Sequence, residues 1–425
     1  MRMRQVFVPG GQPEHTYVSR EKLGLERQLQ AASDNLCKLV TVTGPTKSGK
    51  SVLAKKVYPQ NTAVWIDGGS IRSEDDLWVE VLDRLGTFTD VTRTTARAST
   101  AEVAAQISAQ AELPFIAKAQ GQVTPKYGKT RTVTESRSRR GSPKSQAIEH
   151  LRTSRRPLVV DDFHYLDREV QGSVVRALKA LVFGAHPIIL LAIPHRKYDA
   201  IRVEKEMTGR VHQVPIPAWA DNELQEIPHL GFPLLNVSVD QAVVDRFLSE
   251  GLQSPHLMQE FCRQLCELNA VEETCSNKAK LDVPGGVDSL LRKVAADTSK
   301  TIFERLAKGP RQRSDRNQRC FKDGRTGDIY FAVLMAIARL RPGMVTLEYE
   351  QVRAALRDLL VELPQAHEVS RVLEHMGTIQ AGEAASAPVL DWDKDGRRLH
   401  IIDPFFAFYL RWGVESVPQL PGDAC

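Results

Sequence analysis

The sequence predicts an α/β protein in which helices sandwich a parallel sheet, with a helical lid and a small C-terminal domain after it. Three observations support this prediction. Short, nearly all-apolar runs alternate with helical stretches over the first half of the chain, which is typical of parallel strands buried on both faces. From about residue 218 to residue 309 the pattern is helical only. The end of the chain has the pattern of three helices followed by a β-hairpin.

The first strand and the loop behind it carry the most specific motif. The apolar run Leu39–Thr43 leads into the glycine-rich segment Gly44-Pro45-Thr46-Lys47-Ser48-Gly49-Lys50-Ser51, and a helical stretch continues from Val52. A strand that turns into a helix through such a loop aims backbone N–H groups at a polyphosphate. Lys50 would then reach the β- and γ-phosphates, and the Ser51 hydroxyl would bind Mg²⁺. The sequence therefore predicts a P-loop NTPase fold that binds a nucleotide with Mg²⁺.

Three further apolar runs extend the predicted sheet, at Ala63–Asp67, Pro157–Val160 and Pro187–Ile193. The second of these runs ends in two carboxylates, Asp161 and Asp162. A carboxylate at this strand end would hold the hydration shell of Mg²⁺ beside the serine of the loop, which is the role we expect for Asp161. Asp162 would orient and polarise the attacking water. Because aspartate is one methylene shorter than the glutamate that many ATPases place there, the sequence predicts slow hydrolysis.

Two arginines that flank strands are candidate catalytic residues. Arg196 follows the run that ends at Ile193, so it would lie beside Asp161 at the carboxyl edge of the sheet, within reach of a γ-phosphate. The alternative for Arg196 is an ordinary surface position. Arg210 precedes a strand-like run over residues 211–216. It would either enter the nucleotide site of a neighbouring subunit as an arginine finger, or be a surface arginine or one that forms an ion pair within its own chain.

Bulk composition is that of an ordinary globular protein. The 425 residues allow two or three domains, and 42% hydrophobic and 26% charged residues with a net charge of +5 do not indicate an overall polyanion binder. The chain has no long apolar run and no signal-peptide pattern, so we expect a cytoplasmic protein without membrane contact. The six cysteines show no paired spacing, which suits a reducing compartment. Cys262 and Cys266, one helical turn apart, are predicted to be core residues rather than metal ligands.

Shifts in composition set the predicted domain boundaries. A loose leader covers about residues 1–15. One inserted region is basic: between Lys118 and Lys144 there are eight Lys or Arg residues and one acid. This insertion would contact nucleic acid or an acidic partner, or it would be a solvated excursion. The predicted parts are a nucleotide-binding domain over 1–217 with an insertion over about 87–150, a helical lid over 218–304, a basic linker over 305–326, a winged-helix domain over 327–413, and a tail over 414–425.

Taken in order along the chain, these motifs resemble those of the AAA+ and STAND ATPases, which include origin-recognition-type and archaeal-type ATPases. The resemblance covers roughly residues 15–300, and a winged helix after the lid extends it to about residue 413. It rests on Tyr17-Val18-Ser19-Arg20-Glu21, the phosphate loop, the pair Asp161-Asp162, Ile193-Pro194-His195-Arg196, Arg210, and Ser254-Pro255-His256.

The resemblance implies roles for several of these residues and makes ATP or ADP the expected nucleotide. Tyr17, Val18 and Arg20 would lie against the adenine, and Pro255 with His256 would approach the base from the lid. Ser254 and Pro255 also form a good helix start, which explains both without a ligand. Arg196 would act as a sensor. A histidine stands near the lid position where related ATPases carry an arginine, which favours the STAND side of the group.

Three functions remain open from the sequence. The first is a regulatory ATPase switch that self-associates and activates a separate effector protein, as in bacterial defence against phage or plasmids. The second is a DNA-associated ATPase of the transposition or replication-loading type, which the two basic segments favour because phosphate contacts supply most non-specific DNA affinity. The third is a nucleotide-bound scaffold that does not hydrolyse its ligand. The mixed charge of the third winged-helix helix, from Gln365 to Met376, favours protein contact over DNA contact.

Overall fold

The computed structural model describes residues 1–34, 37–87, 91–96, 132–137, 142–193, 207, 209–310, 317–343, 346–381 and 389–414. The chain forms two compact units, a larger one of residues 1–74 together with 156–425 and a smaller one of residues 75–155. Within the described ranges, no helix combines the length and the apolar character needed to span a bilayer.

Helices are numbered in chain order. They are α1 (Met3–Val6), α2 (Leu25–Asp34), α3 (Lys50–Val57), α4 (Glu74–Leu85), α5 (Pro143–Ser154), α6 (Arg168–Phe183), α7 (Asp221–Leu224), α8 (Glu226–Leu234), α9 (Gln241–Glu250), α10 (Pro255–Leu268), α11 (Val287–Lys308), α12 (Ile329–Arg339), α13 (Tyr349–Leu359), α14 (Ala366–Ala381) and α15 (Pro404–Trp412).

Strands are numbered in the same way. They are β1 (Leu39–Thr43), β2 (Val64–Asp67), β3 (Val91–Ala96), β4 (Thr132–Arg137), β5 (Leu158–Asp161), β6 (Ile188–Ala192), β7 (Val211–Pro215), β8 (Val237–Ser238), β9 (Ala279–Lys280), β10 (Arg319–Cys320), β11 (Thr326–Gly327), β12 (Thr346–Glu348), β13 (Leu390–Asp393) and β14 (Arg398–Ile401).

The central sheet has five strands in the order β2-β5-β6-β1-β7. All four neighbouring pairs are parallel. Leu39 at the start of β1 stands opposite Ile188 on one side and Val211 on the other. Because the strands run in one direction, their carboxyl ends meet at one edge, which brings the end of β1 and the end of β5 to the same side of the sheet. The parallel α/β sheet predicted from the sequence is confirmed.

Helices α2 and α3 cover one face of this sheet. Val40 and Val42 of β1 share one apolar cluster with Leu29 of α2 and Leu53 of α3. Successive residues of a strand point to opposite faces, and Leu39, which alternates with these valines, is fully buried as well. Burial on both faces explains why the strands appear in the sequence as nearly continuous apolar runs.

The N-terminal residues are ordered, and the prediction of a loose leader is wrong. Met3, Val6 and Phe7 are buried in the apolar cluster of the lid. The Phe7 ring meets the ring of Phe232 edge-on, with centroids 5.1 Å apart. The spacing of these apolar residues is that of one helical face, a signal that the following Pro9-Gly10-Gly11 segment obscured.

The region predicted as a lid, called the lid below, contains helices α7 to α11. The sequence predicted helices only, but the structure also has two short strands there. The two-residue strands β8 and β9 pair in parallel within it. Helix α11 continues to Lys308, beyond the predicted lid boundary at residue 304. Part of the predicted basic linker is also ordered, because β10 and β11 form an antiparallel pair.

The C-terminal elements follow in the order helix, strand, helix, helix, strand, strand, helix, from α12 to α15. Strands β12, β14 and β13 form an antiparallel sheet in that order. The turn between β13 and β14 is fixed by Asp393, whose carboxylate accepts hydrogen bonds from the backbone N–H groups of Asp395 and Gly396. The hairpin therefore forms where the Asp-Gly pair of the sequence predicts it.

The smaller unit contains α4, the antiparallel hairpin of β3 and β4, and α5. The two hairpin strands pair along their whole length, from Val91 opposite Arg137 to Ala96 opposite Thr132. Helix α5 begins at a capped start, with the hydroxyl of Ser142 accepting a hydrogen bond from the backbone N–H of Ser145. Most of the predicted insertion over about residues 87–150, including residues 97–131 between the two strands, lies outside the described residues.

Candidate functional site

The phosphate loop joins the carboxyl end of β1 to α3, as predicted from the sequence. Two positions show why its glycines are needed. A Cβ atom at Gly44 would stand 2.8 Å from the Cβ atom of Ile216, and Gly49 has a φ of 91°. A residue at the start of the lid region anchors the loop: the indole N–H of Trp219 donates a hydrogen bond of 2.9 Å to the carbonyl of Ser48. Trp219 was not among the residues predicted to shape the site.

The loop contains a buried polar atom that a phosphate would satisfy. The hydroxyl oxygen of Ser48 is buried and has no hydrogen-bond partner within the described part of the chain. Buried polar atoms are rarely left unpaired unless a ligand or water completes them. Together with the helix N-terminus of α3, this hydroxyl fits a phosphate group in the loop.

Lys50 is the buried lysine of the loop. Its ammonium group donates hydrogen bonds to the carbonyls of Gly44 and Pro45, at 3.0 Å and 2.8 Å. Burial lowers the pKa of Lys50 to about 8, against the opposing attraction of Asp162 and Asp161. Both carboxylates therefore act electrostatically on the loop lysine, as expected for residues at one edge of the sheet.

Asp161 and Asp162 stand where β5 ends. The carboxylate of Asp161 accepts a hydrogen bond of 3.0 Å from the backbone N–H of Asp162. Asp162 adopts the left-handed conformation, with a φ of 50°. Burial, followed by the charge of Asp161, raises the pKa of Asp162 to about 6, although Lys50 acts in the opposite direction. A carboxyl group with this pKa is suited to proton transfer near neutral pH.

The donor set fits Mg²⁺. The Ser51 hydroxyl at the start of α3 and the Asp161 carboxylate are both hard oxygen donors, which Mg²⁺ prefers. Among the described residues, no cluster of three or more His, Cys, Asp or Glu side chains could hold a metal without other ligands. The two oxygen donors Ser51 and Asp161 suit Mg²⁺, because that ion commonly takes one or two protein ligands and fills its shell with water and substrate phosphates.

A cavity of about 410 Å³ opens beside the loop. This volume lies within the range of small-molecule sites. Its walls are the N-terminal segment, the phosphate loop with the start of α3, the turn after β5, and the start of α10. The predicted site residues that line it are Tyr17, Val18, Arg20, Thr46, Lys47, Ser48, Gly49, Lys50, Ser51, Val52, Asp162, Pro255 and His256.

Arg20 lines the cavity, but its guanidinium is engaged by the protein. It donates to the carbonyls of Pro217 and Ala218 and pairs with the carboxylate of Glu223 at 2.8 Å. Its guanidinium carbon also stands 4.7 Å from the centre of the Trp219 ring. The placement of Arg20 against the adenine stays a prediction, and these bonds show that its guanidinium also links the N-terminal segment to the start of the lid.

The hydroxyl of Tyr17 is also used within the protein. It donates a hydrogen bond of 2.7 Å to the Glu26 carboxylate. Burial, and then Glu26, raise the pKa of Tyr17 well above its usual range. The Lys56 ammonium group lies over the ring, 5.4 Å from its centre, so what remains for a ligand is the ring face that Lys56 does not cover. A flat base fits such a surface better than a charged group does.

The lid contributes Pro255 and His256 at the first turn of α10. Ser254 caps this helix by accepting a hydrogen bond from the backbone N–H of Leu257. Burial, followed by Lys47, lowers the pKa of His256 to about 4, so the ring is neutral at pH 7. The His256 ring faces the ring of Phe405 edge-on, at 4.6 Å between centroids.

The predicted arginines have different outcomes. Arg196 lies outside the described residues. Arg210 precedes β7 and therefore stands at the amino edge of the sheet, opposite to the edge that holds the loop. Its guanidinium carbon lies 4.0 Å from the centre of the exposed Phe183 ring. Arg210 cannot reach the phosphate loop of its own chain from this edge.

The structure also reveals a contact that the sequence reasoning missed, between the phosphate loop and the start of α15. The ammonium group of Lys47 lies 2.6 Å from the carboxylate of Asp403 and 4.3 Å from the centre of the Phe405 ring. The Asp-Pro pair at 403–404 is a recognisable helix start, but no local signal connects it to a loop near residue 47.

The far end of α15 reaches the lid. The indole N–H of Trp412 donates a hydrogen bond of 2.9 Å to the carboxylate of Glu250 at the end of α9. The same carboxylate accepts from Arg411 and from Arg246. Helix α15 is therefore bonded to the phosphate loop at its first turn and to the lid at its last.

No protein-family model matches this chain, and no curated protein matches it. Among solved structures, the chain is similar to a Walker-type ATPase of Pyrococcus abyssi, with 12% identity, a TM-score of 0.49, and coverage of 93% of this chain and 96% of that one. It is similar to the Orc1 protein of Aeropyrum pernix, solved in complex with DNA, with 11% identity, a TM-score of 0.45, and coverage of 96% and 95%.

A third similar structure is a STAND protein of Pyrococcus horikoshii with a tetratricopeptide repeat sensor. The identity is 13%, the TM-score is 0.36, and the match covers 92% of this chain and 42% of that one. The fold of this chain is defined by the order of its strands and by the loop between β1 and α3. By these features the chain has a P-loop NTPase fold.

Proposed function

We propose that this protein is an ATP-binding regulatory ATPase whose nucleotide state controls self-association or the activation of a separate effector protein. One observation carries this proposal: α15 connects the phosphate loop to the lid, through Lys47–Asp403 at one end and Trp412–Glu250 at the other. A helix placed in this way responds to any change in the distance or charge between loop and lid. A nucleotide that enters the cavity changes both.

The bound nucleotide is ATP or ADP with Mg²⁺ in this proposal. Lys50 and the backbone of the loop hold the phosphates, Ser51 and Asp161 supply oxygen ligands, and Asp162 accepts the proton of the attacking water. Mg²⁺ held by these two residues would supply positive charge to offset the charge that develops on the phosphates. Asp162 is a short side chain, so we expect slow turnover, which suits a switch better than a motor.

The C-terminal elements from α12 to α15 form a winged helix in this proposal, and their surface favours protein contact. The acids of α14 are paired: Glu368 bonds to Arg319 at 2.9 Å, and Glu374 lies 3.6 Å from Lys394. A mixed, locally neutralised surface of this kind is poorly suited to a phosphate backbone. The partner in this proposal is a separate effector protein, and defence against phage or plasmids is the proposed setting.

Mass photometry of the full chain tests this function. Wild type and Lys50→Ala are compared without nucleotide, with ADP and with ATP, each with and without duplex DNA. We expect ATP to change the oligomeric state of wild type, Lys50→Ala to remain unchanged, and DNA to have no effect. Assembly only on DNA, lost at higher salt, would replace this function by a DNA-associated ATPase. No change under any condition would contradict the switch.

A further inference from the structure

Lys47 has an unusual backbone conformation for a lysine. Its φ is 58°, in the left-handed region, which is costly for any residue with a Cβ atom and which glycine adopts freely. Glycine would therefore be the cheaper residue at this position of the loop. The side chain of Lys47 lines the nucleotide cavity and also reaches α15. A lysine with a strained backbone conformation that contacts both the cavity and α15 is expected to have a functional role.

Its partner Asp403 is nearly buried and uses both carboxylate oxygens. One oxygen accepts hydrogen bonds from the backbone N–H groups of Phe405 and Phe406, which caps α15. The other bonds to Lys47, and the Asp403 side chain is only 9% exposed. Lys47 supplies the positive charge for this carboxylate. Losing it would remove the ion-pair partner that the described residues give this desolvated negative charge, which is strongly unfavourable.

We infer that Lys47 is a second phosphate-binding lysine of the loop and that Asp403 competes with the nucleotide for it. This inference deepens the proposed function and rests on it. A phosphate chain bound between Lys50 and Lys47 attracts the Lys47 ammonium away from α15. The more negative the chain, the stronger this attraction and the stronger the repulsion of Asp403. Asp403 therefore makes the protein discriminate ATP from ADP by charge.

The geometry explains how this exchange moves an element rather than a single side chain. Once Lys47 turns to the phosphates, Asp403 must regain water or another cation, so the first turn of α15 has to leave the loop. Phe405 moves with it, because Phe405 belongs to this turn, and its ring then leaves its contacts with Lys47 and His256. The ion pair thus couples phosphate charge to the position of α15.

Three variants separate phosphate binding by Lys47 from a purely structural contact. Asp403→Asn keeps an oxygen for the helix cap but removes the charge, so Lys47 is freed. Lys47→Asn removes the lysine with a residue that tolerates the left-handed conformation. The double variant combines them. Asp240→Asn is the matched control, because Asp240 is also the residue before a helix and pairs with a lysine, Lys280, at 2.8 Å.

ATP and ADP affinities of the full-length variants are measured by isothermal titration calorimetry with Mg²⁺. We expect Asp403→Asn to bind ATP at least about fivefold more tightly than wild type, with a smaller gain for ADP. Lys47→Asn should show no such gain, and the double variant should behave like Lys47→Asn. Asp240→Asn should match wild type.

Two other outcomes would contradict either this inference or the proposed function. Equal gains for Lys47→Asn and Asp403→Asn would mean that the pair only fastens α15, and the inference would be wrong while the proposed function survives. Nucleotide binding by none of the proteins, wild type included, would overturn the proposed function itself.

Discussion

At the scale of single residues, Asp162 combines strain, burial and a raised pKa at the point where β5 ends. Its carboxyl group shares the site with Asp161 and Lys50, and burial, followed by the charge of Asp161, raises its pKa to about 6. Only the ionised form can accept a proton from water. The group is therefore placed so that its protonation state changes within the range in which many enzymes work.

We expect kcat/KM for ATP hydrolysis to rise between about pH 5 and about pH 7, with a midpoint near the pKa of Asp162. Asp162→Asn should abolish the rise and most of the activity. A steady-state phosphate-release assay across this range tests it. A pH profile that stays flat in wild type, or one that survives in Asp162→Asn, would show that another group is the base.

The same pKa gives an opposite effect on stability. Because the folded pKa of Asp162 lies above the usual value, the protonated carboxyl favours the folded state at low pH, and this contribution is lost as pH rises through about 6. Asp162→Asn should therefore raise Tm at pH 8 while it lowers activity, whereas the exposed Asp240→Asn should leave Tm unchanged. A variant that loses both activity and stability would place Asp162 in the structural framework instead.

At the scale of elements, α15 owes its position to polar bonds at both ends. Glu250 is buried, and its carboxylate receives hydrogen bonds from Trp412, Arg411 and Arg246. The Trp412 indole adds a buried N–H donor to that set. The rest of the helix is apolar on nearly every side, which gives packing energy but little directional preference.

Trp412→Phe should keep the packing and remove the donor. We expect it to lower the free energy of unfolding by about 1–3 kcal/mol, the cost of a hydrogen bond lost from a buried charged acceptor. Urea denaturation measures this. Trp392→Phe is the control, because the Trp392 N–H has no partner among the residues that the structure describes. Equal losses in both variants would mean that ring packing, rather than the bond to Glu250, holds α15.

Elements with local signals were predictable, and contacts between distant segments were not. The β1–loop–α3 unit and the strand that ends at Asp161 follow from apolar runs, glycine spacing and strand-end carboxylates. The pair Lys47–Asp403 could not be predicted, since no periodicity relates two residues so far apart in the sequence. The N-terminal helix was missed because its one turn of apolar residues is too short to outweigh the glycines after it.

At the scale of the whole molecule, the two edges of the sheet have different roles. The carboxyl edge holds the loop, Asp161 and Asp162. The amino edge holds Arg210, stacked on the exposed ring of Phe183, with Lys179 over the same ring. An arginine on this edge can act on a nucleotide only if that nucleotide belongs to another chain. Self-association would give Arg210 such a partner.

Mixing experiments test this arrangement. Asp162→Asn removes the proposed base but keeps the phosphate loop and Arg210, and Arg210→Ala keeps the base and removes the arginine. If Arg210 acts across an interface, an equimolar mixture should hydrolyse ATP faster than either variant alone, because some sites then combine an intact base with an intact arginine. A mixture of Lys50→Ala with Asp162→Asn is the control and should show no gain, since both changes damage the carboxyl edge. If neither mixture hydrolyses ATP faster than its component variants, Arg210 has no role in turnover, and only its stacking contact with Phe183 remains.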